Sequence, residues 1–114
     1  MPLPLLSDVR VLEFASMVSG PFCGRLMAFS GAEVIKVEPP YQGDSSRSSG
    51  PFAQDNPGSD SSLLFQYLNA NKKSITLDPS VPTGRDLLKR LIATSDVLIE
   101  DHPPDYMASL GLAY

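Results

Sequence analysis

Two apolar runs flank a helical segment between residues 9 and 38, and this arrangement constrains the fold more than any other feature. VRVLEF (9–14) and AEVIKVE (32–38) are rich in Val, Ile and Phe, as β-strands are. Between them, PFCGRLMAFSG carries Pro21 in its first helical turn and Gly31 as its C-terminal stop. So tight a strand–helix–strand unit predicts a parallel pair with a right-handed crossover.

The rest of the chain continues this alternation. SITLD (74–78) and VLIE (97–100) are predicted strands, and a long loop rich in Gly, Ser, Pro and Asp is predicted over 40–62. Helices are predicted for SLLFQYLN (62–69), for TGRDLLKRLIATS (83–95) and around residues 105–110, where Gly111 follows. We therefore predict an α/β fold with a mostly parallel, doubly wound sheet and flanking helices.

Composition excludes several classes of function. With 9 Lys and Arg against 13 Asp and Glu, no broad basic face is available for a nucleic acid, so we expect no such partner. We expect no membrane span, because no apolar run approaches the roughly 20 residues required. The lone Cys23 and an N-terminus without a signal-peptide pattern predict a reducing, cytoplasmic location. One His, one Cys and scattered carboxylates predict no metal site.

The loop ASMVSGPFCG (15–24) follows the first predicted strand, where α/β proteins often bind phosphates. Its Gly20 and Gly24 do not form the Gly-x-Gly-x-x-Gly fingerprint of dinucleotide sites, and no Gly-Lys-Ser/Thr follows. Ser19 and Gly20 could still attract an anion or an acyl oxygen at the helix start, or could simply cap the helix. We interpret Cys23 as a small core residue rather than a nucleophile, because no partner base is identifiable.

Two further segments carry candidate ligand contacts. Lys72 and Lys73 in NANKKS stand just before a strand, where they could meet a phosphate or form a solvated turn. Asp101 and His102 follow the last predicted strand, at the sheet edge where ligands gather in open α/β folds. A loop that merely turns explains these two residues equally well.

Taken in order, these segments resemble the N-terminal region of the class III CoA-transferases. That family includes formyl-CoA transferase, carnitine CoA-transferases and, in a related branch, α-methylacyl-CoA racemase. The matching text is LSDVRVLEF, SGPFCGRLMAFSGAEVIKVEPP, GD followed by Arg47, LNANKKSITLD, PTGRDLLKRLIATSDVLIE and MASLGL. The resemblance spans nearly the whole chain.

The resemblance implies that residues 1–114 are the N-terminal segment of a larger domain with a Rossmann-like core. It implies coenzyme A as substrate, an acyl-CoA and a carboxylic acid as reaction partners, and an interlocked homodimer. The family's nucleophile is an aspartate that forms an aspartyl thioester. By register this aspartate lies beyond Tyr114, so we expect no catalytic residue within the chain.

The resemblance also implies where CoA contacts fall. They are Val18, Ser19, Pro39, Leu77, Asp78, Pro79, Ser80, Asp101, His102, Pro103 and Ser109, with Lys72 and Lys73 as further candidate cations. Positions 39, 80 and 109 often carry Arg or Lys in the family, and Asn-Phe is usual at 101–102. The substitutions here predict weaker phosphate binding.

Three functions stay open from the sequence. They are a CoA-transferase segment, the corresponding segment of an acyl-CoA racemase, and a non-catalytic scaffold or degenerate half of a fused protein. A nucleotide-dependent oxidoreductase ranks below them, because the glycine fingerprint is absent.

Overall fold

Four parallel strands form the centre of the structure, a computed structural model that describes residues 4–58 and 60–112. They lie in the spatial order β3-β2-β1-β4, and every pairing is parallel. The strands are β1 (Arg10–Phe14), β2 (Glu33–Glu38), β3 (Lys73–Thr76) and β4 (Val97–Glu100). The predicted α/β fold with a parallel sheet is confirmed.

Helices alternate with the strands along the chain. They are α1 (Ser19–Phe29), α2 (Leu63–Leu68), α3 (Pro82–Ala93) and α4 (Tyr106–Ser109). Strand order reverses at β1, because β2 lies on one side of it and β4 on the other. Such a switch point leaves a crevice beyond the carboxyl ends of the strands, where α/β proteins bind ligands. Among the helices of the described residues, none is long and apolar enough to cross a membrane.

The end of α1 confirms the stop predicted at Gly31. Gly31 has φ +100°, a left-handed conformation that glycine adopts without steric strain. Its N–H donates to the Ala28 carbonyl at 3.0 Å, and the N–H of Ala32 donates to the Met27 carbonyl at 3.1 Å. These two bonds satisfy carbonyls that the last helical turn leaves open, and the chain turns directly into β2.

The two faces of the sheet bury different side chains, because successive residues of a strand point to opposite sides. Leu12 and Phe14 of β1 join a cluster with Leu88 of α3 on one face. Val11 packs with Ala28 of α1 on the other face. Glu13 lies on the α1 face as well, and it is fully buried.

Cys23 is exposed, so its interpretation as a core residue is wrong. The side of α1 turned toward the sheet consists of small residues, Gly20, Pro21, Gly24 and Ala28. Phe22 and Leu26, which share a face with one another, are also exposed. Small residues let the helix approach the buried charges beneath it, which places its larger side chains outside.

The loop predicted over 40–62 is ordered by its own polar groups. Two 3₁₀ turns, Ser45–Ser48 and Ala53–Asp55, lie within it. The buried hydroxyl of Ser62 shares its single hydrogen between the carbonyls of Ser46 at 2.8 Å and Ser49 at 2.7 Å. The start of α2 is thereby tied to the first of these turns.

Candidate functional site

A cavity of about 250 Å³ opens beyond the carboxyl ends of the strands. Each of the four strands contributes to it through the residues at its end or just after it. The lining comprises Phe14, Ala15, Ser16, Val37, Pro39, Gln42, Gly43, Ser45, Leu77, Pro79, His102 and Tyr106. The cavity therefore lies at the sheet edge that the strand pattern predicted.

Four of the predicted contact residues line this cavity: Pro39, Leu77, Pro79 and His102. Three aromatic side chains form one of its walls. The His102 ring stacks on Tyr106 with 4.4 Å between centroids and an interplanar angle of 18°, and it lies 4.2 Å from the Phe14 ring. Among the described residues, no Lys or Arg lines the cavity. The lining can hold a flat or apolar group but offers no permanent cation.

The other predicted contacts are not part of the cavity lining. Val18, Ser19, Ser80, Asp101, Pro103 and Ser109 are exposed, and Asp78 is half-buried. Two of these residues are hydrogen-bonded to each other. The Asp78 carboxylate accepts from the Ser80 amide at 3.0 Å and from the Ser80 hydroxyl at 2.5 Å. The Ser80 hydroxyl, followed by its amide, lowers the pKa of Asp78.

Lys72 lies in the interior, with a side chain that is 1 % exposed. Its ammonium is 2.6 Å from Glu13 Oε1 and donates to the Pro21 carbonyl and to Asn69 Oδ1, both at 2.8 Å. The ion pair and the two hydrogen bonds hold the ammonium inside the chain. The neighbouring Lys73 begins β3, about 13 Å of strand before Leu77, and its ammonium pairs with Glu33 at 3.2 Å.

Lys72 belongs to a buried network of four charges that sequence reasoning missed. Lys36 joins the two acids, with its ammonium 2.7 Å from Glu13 Oε2 and 2.6 Å from Asp44 Oδ2. The two acids and two lysines make the network neutral overall, so each buried charge has an opposite charge beside it. The available signal was a charge with apolar residues on both sides in each of two strand-like runs, Glu13 in VRVLEF and Lys36 in EVIKVE.

The network holds the loop that follows β1. Lys36 donates to the Ala15 carbonyl at 3.1 Å, and Asp44 Oδ1 accepts from the Met17 amide at 3.1 Å. Between these anchors, the Ser16 amide donates to Asp101 Oδ2 at 3.2 Å. Met17 has φ +65°, an unusual backbone conformation for a residue with a side chain. Three successive residues of the cavity-side loop are therefore held by charged groups.

A second charged pair lies beside the cavity. Glu38 accepts from Arg47 at 2.8 Å and 2.9 Å in a bidentate arrangement, and it also accepts from the Asp44 amide and the Ser74 hydroxyl. Burial by itself raises the pKa of Glu38, but these hydrogen bonds outweigh it and lower the pKa to about 2. The Arg47 guanidinium also lies 3.8 Å from the centroid of the Phe65 ring. The pair fixes the 3₁₀ turn Ser45–Ser48 to the end of β2.

In the part of the chain that the structure describes, no group of three or more His, Cys, Asp or Glu side chains is placed to hold a metal ion.

Comparison with known proteins decides the family. The model of CoA-transferase family III matches residues 6–114. The chain belongs to CoA-transferase family III. This family III chain is 44% identical over 109 residues to a formyl-CoA:oxalate CoA-transferase of Afipia carboxidovorans, covering 96% of the chain and 25% of the relative. It is also 44% identical over 113 residues to a succinyl-CoA–D-citramalate CoA-transferase of Chloroflexus aurantiacus, covering 99% and 27%.

Solved structures agree with this assignment. A CAIB/BAIF family protein from Brucella suis superimposes on the family III chain with a TM-score of 0.85 and 36% identity. The match covers 100% of this chain and 30% of that protein. The family III chain thus spans about a quarter to a third of the length of the proteins it matches. The resemblance inferred from the sequence is confirmed.

Proposed function

We propose that this chain supplies one wall of the CoA site of a CoA-transferase that moves CoA between an acyl-CoA and a carboxylic acid. The observation that carries the proposal is the cavity at the switch point, which brings together Pro39, Leu77, Pro79 and His102 from three strand ends. Residues 1–114 would then be the N-terminal part of a larger α/β domain. In the complete protein a pair of subunits would complete the site.

The side chains that line the cavity indicate which part of CoA it would hold. The cavity has a volume of about 250 Å³ and aromatic and aliphatic walls. Such a lining suits the adenine ring or the pantetheine arm of CoA better than its phosphates. Outside the cavity lining, the residues proposed to meet the remainder of the ligand are the half-buried Asp78 and the exposed Val18, Ser19, Ser80, Asp101, Pro103 and Ser109. We do not extend the proposal to Lys72 and Lys73, because both ammonium groups have carboxylate partners away from the cavity.

The reaction chemistry is proposed to come from outside residues 1–114. A carboxylate nucleophile attacks the acyl-CoA carbonyl and expels the CoA thiolate, which leaves a mixed anhydride on the enzyme. The thiolate then attacks the enzyme-side carbonyl of this anhydride, and the donor acid leaves as its carboxylate to give the enzyme thioester. The relatives named above carry an acyl-CoA and a carboxylate in their names, which supports a small carboxylic acid as acceptor. We expect the purified chain to show no acyl transfer between CoA esters, and measurable transfer would contradict this assignment.

A binding experiment tests the proposed site. A ligand that binds only the folded state stabilises it by about 2.7 kcal/mol when its concentration is a hundred times Kd. CoA at millimolar concentration should therefore raise the Tm of the chain in a thermal melt. Gln42→Trp, which places a large ring on the cavity wall, should abolish the shift. The matched control Gln66→Trp, on the exposed side of α2, should retain it.

A non-catalytic scaffold is the second candidate function. The observation that favours it is the cavity lining without Lys or Arg among the described residues. Absence of any shift with CoA, in a chain that melts cooperatively, would reject the CoA site and support this scaffold. An equal shift in Gln42→Trp and Gln66→Trp would place CoA elsewhere on the surface.

A further inference from the structure

Asp44 lies between two loops that both contribute to the cavity wall. Ala15 and Ser16 line the cavity from the loop that follows β1, and Gly43 and Ser45 line it from the loop that follows β2. Asp44 stands between these last two residues in the sequence, but it is buried and does not line the cavity. Its carboxylate therefore lies behind the lining, where it can act on the shape of the cavity without touching a ligand.

The two oxygens of the Asp44 carboxylate have different partners. Oδ1 accepts from the Met17 amide at 3.1 Å, and it accepts from the amide and the hydroxyl of Ser46, both at 2.8 Å. Oδ2 faces the Lys36 ammonium at 2.6 Å. Burial raises the pKa of Asp44, but the Lys36 ammonium and the two amides outweigh burial and leave the pKa below its ordinary value. Asp44 is therefore ionised at neutral pH, and its Oδ1 connects the loop after β1 to the loop after β2.

Met17 adopts a backbone conformation that requires such support. Its φ is +65°, in the left-handed region, where the Cβ of a side chain crowds the following carbonyl. This crowding lowers the population of the conformation by a factor of about five to thirty. The Met17 side chain is 39% exposed, so its burial does little to hold the backbone in place. Among the described residues, Asp44 Oδ1 is the acceptor for the Met17 amide.

We propose that Asp44 is a positioning residue for the ligand of this cavity, because its Oδ1 holds Met17 in the left-handed conformation and thereby keeps Ala15 and Ser16 in the lining. The inference rests on the proposed CoA site and adds to it a residue that controls affinity without touching the ligand. The apparent Kd of a site rises as the conformation that binds is populated less. Loss of the Oδ1 contact should therefore weaken CoA binding by about fivefold or more.

Two double variants isolate the Oδ1 contact. Lys36→Met/Asp44→Asn keeps an acceptor oxygen at position 44, and Lys36→Met/Asp44→Ala removes it. Both variants remove the ion pair between these two residues and leave Glu13 paired with Lys72, so they carry the same buried charges. With Lys36 replaced, no ammonium competes for the asparagine oxygen. The Ala15 carbonyl loses its Lys36 donor in both variants, so that loss cancels in the comparison.

Isothermal titration calorimetry with CoA measures the effect, at a temperature where circular dichroism shows both variants to be folded. The alanine variant should bind CoA about fivefold or more weakly than the asparagine variant. A residue that only stabilised the fold would change the Tm and leave the Kd of the folded chain the same. Rescue of the Kd by the asparagine oxygen is therefore a result that a merely structural role does not produce.

Amide hydrogen exchange followed by nuclear magnetic resonance tests the contact without CoA. In the unmodified chain, the Met17 amide should exchange about tenfold or more slowly than an unprotected peptide amide, because exchange requires the bond to Asp44 to open. The protection should be about fivefold or more lower in the alanine variant than in the asparagine variant. Exchange of Met17 at the unprotected rate in the unmodified chain would overturn the inference, even if the alanine variant does not fold.

The outcomes separate this inference from the proposed function. Absence of CoA binding by the folded, unmodified chain would reject the CoA site, and this inference with it. CoA binding by the unmodified chain, with equal Kd values in the two double variants, would reject the role of Asp44 and leave the CoA site standing.

Discussion

Replacing Lys72 by Met tests the buried charge network most directly. The substitution keeps an unbranched side chain of similar length but removes the ammonium that contacts Glu13, the Pro21 carbonyl and Asn69. Lys36 and Asp44 then remain with Glu13, and the buried group changes from neutral to a net charge of −1. The neighbouring Lys73 provides a matched control, since its side chain is 71 % exposed whereas that of Lys72 is 1 % exposed.

The structure sets the magnitude of the expected change. Removing one partner of a buried ion pair destabilises a protein by about 3–5 kcal/mol, because the other charge is left uncompensated. A chain of this size has about 5–15 kcal/mol of total stability, so Lys72→Met should remove a large part of it. An exposed pair contributes about 0–1 kcal/mol, so Lys73→Met should change the free energy of unfolding by no more than that.

Urea unfolding followed by circular dichroism measures both variants. The double variant Glu13→Gln/Lys72→Met leaves the neutral pair Lys36 and Asp44, so its loss should be smaller than the sum of the two single losses. Coupling between groups in one network is about 0.5–3 kcal/mol. Equal losses for Lys72→Met and Lys73→Met, or additive losses in the double variant, would refute this account of the network.

Three more predictions concern packing and pH. Leu88→Ala should lower the free energy of unfolding by about 2–5 kcal/mol, and Leu87→Ala by much less, because the first side chain is fully buried and the second is 45% exposed on the same helix. Gly24→Ala should destabilise the chain by about 1–3 kcal/mol in urea unfolding, since its Cβ would overlap the buried Glu13 carboxylate. Glu38 has a folded pKa of about 2, below the ordinary 4.5, so its contribution is fully present above pH 4.5 and is lost as the pH falls toward 2. That contribution is about 3 kcal/mol, and stability measured from pH 5 to pH 2 should therefore fall less steeply in Glu38→Gln.

Local signals determined much of the fold. Alternating apolar runs and amphipathic segments predicted the strands and the principal helices, because burial of a strand or a helix face leaves its period in the sequence. Gly31 ends α1 as predicted, since a left-handed residue after a helix is a local requirement. The ordered set of segments likewise identified CoA-transferase family III.

Tertiary structure decided where individual side chains went. Cys23 lies outside because α1 places its glycines against the sheet, and Lys72 lies inside because Glu13, 59 positions earlier, requires a cation there. Sequence periodicity cannot report such pairings, since a buried charge is tolerated only where a partner from a distant segment meets it. The sequence by itself determined the order of strands and helices and the family. The fold determined which of the candidate residues share a cavity, because that depends on how distant strand ends meet at one edge of the sheet.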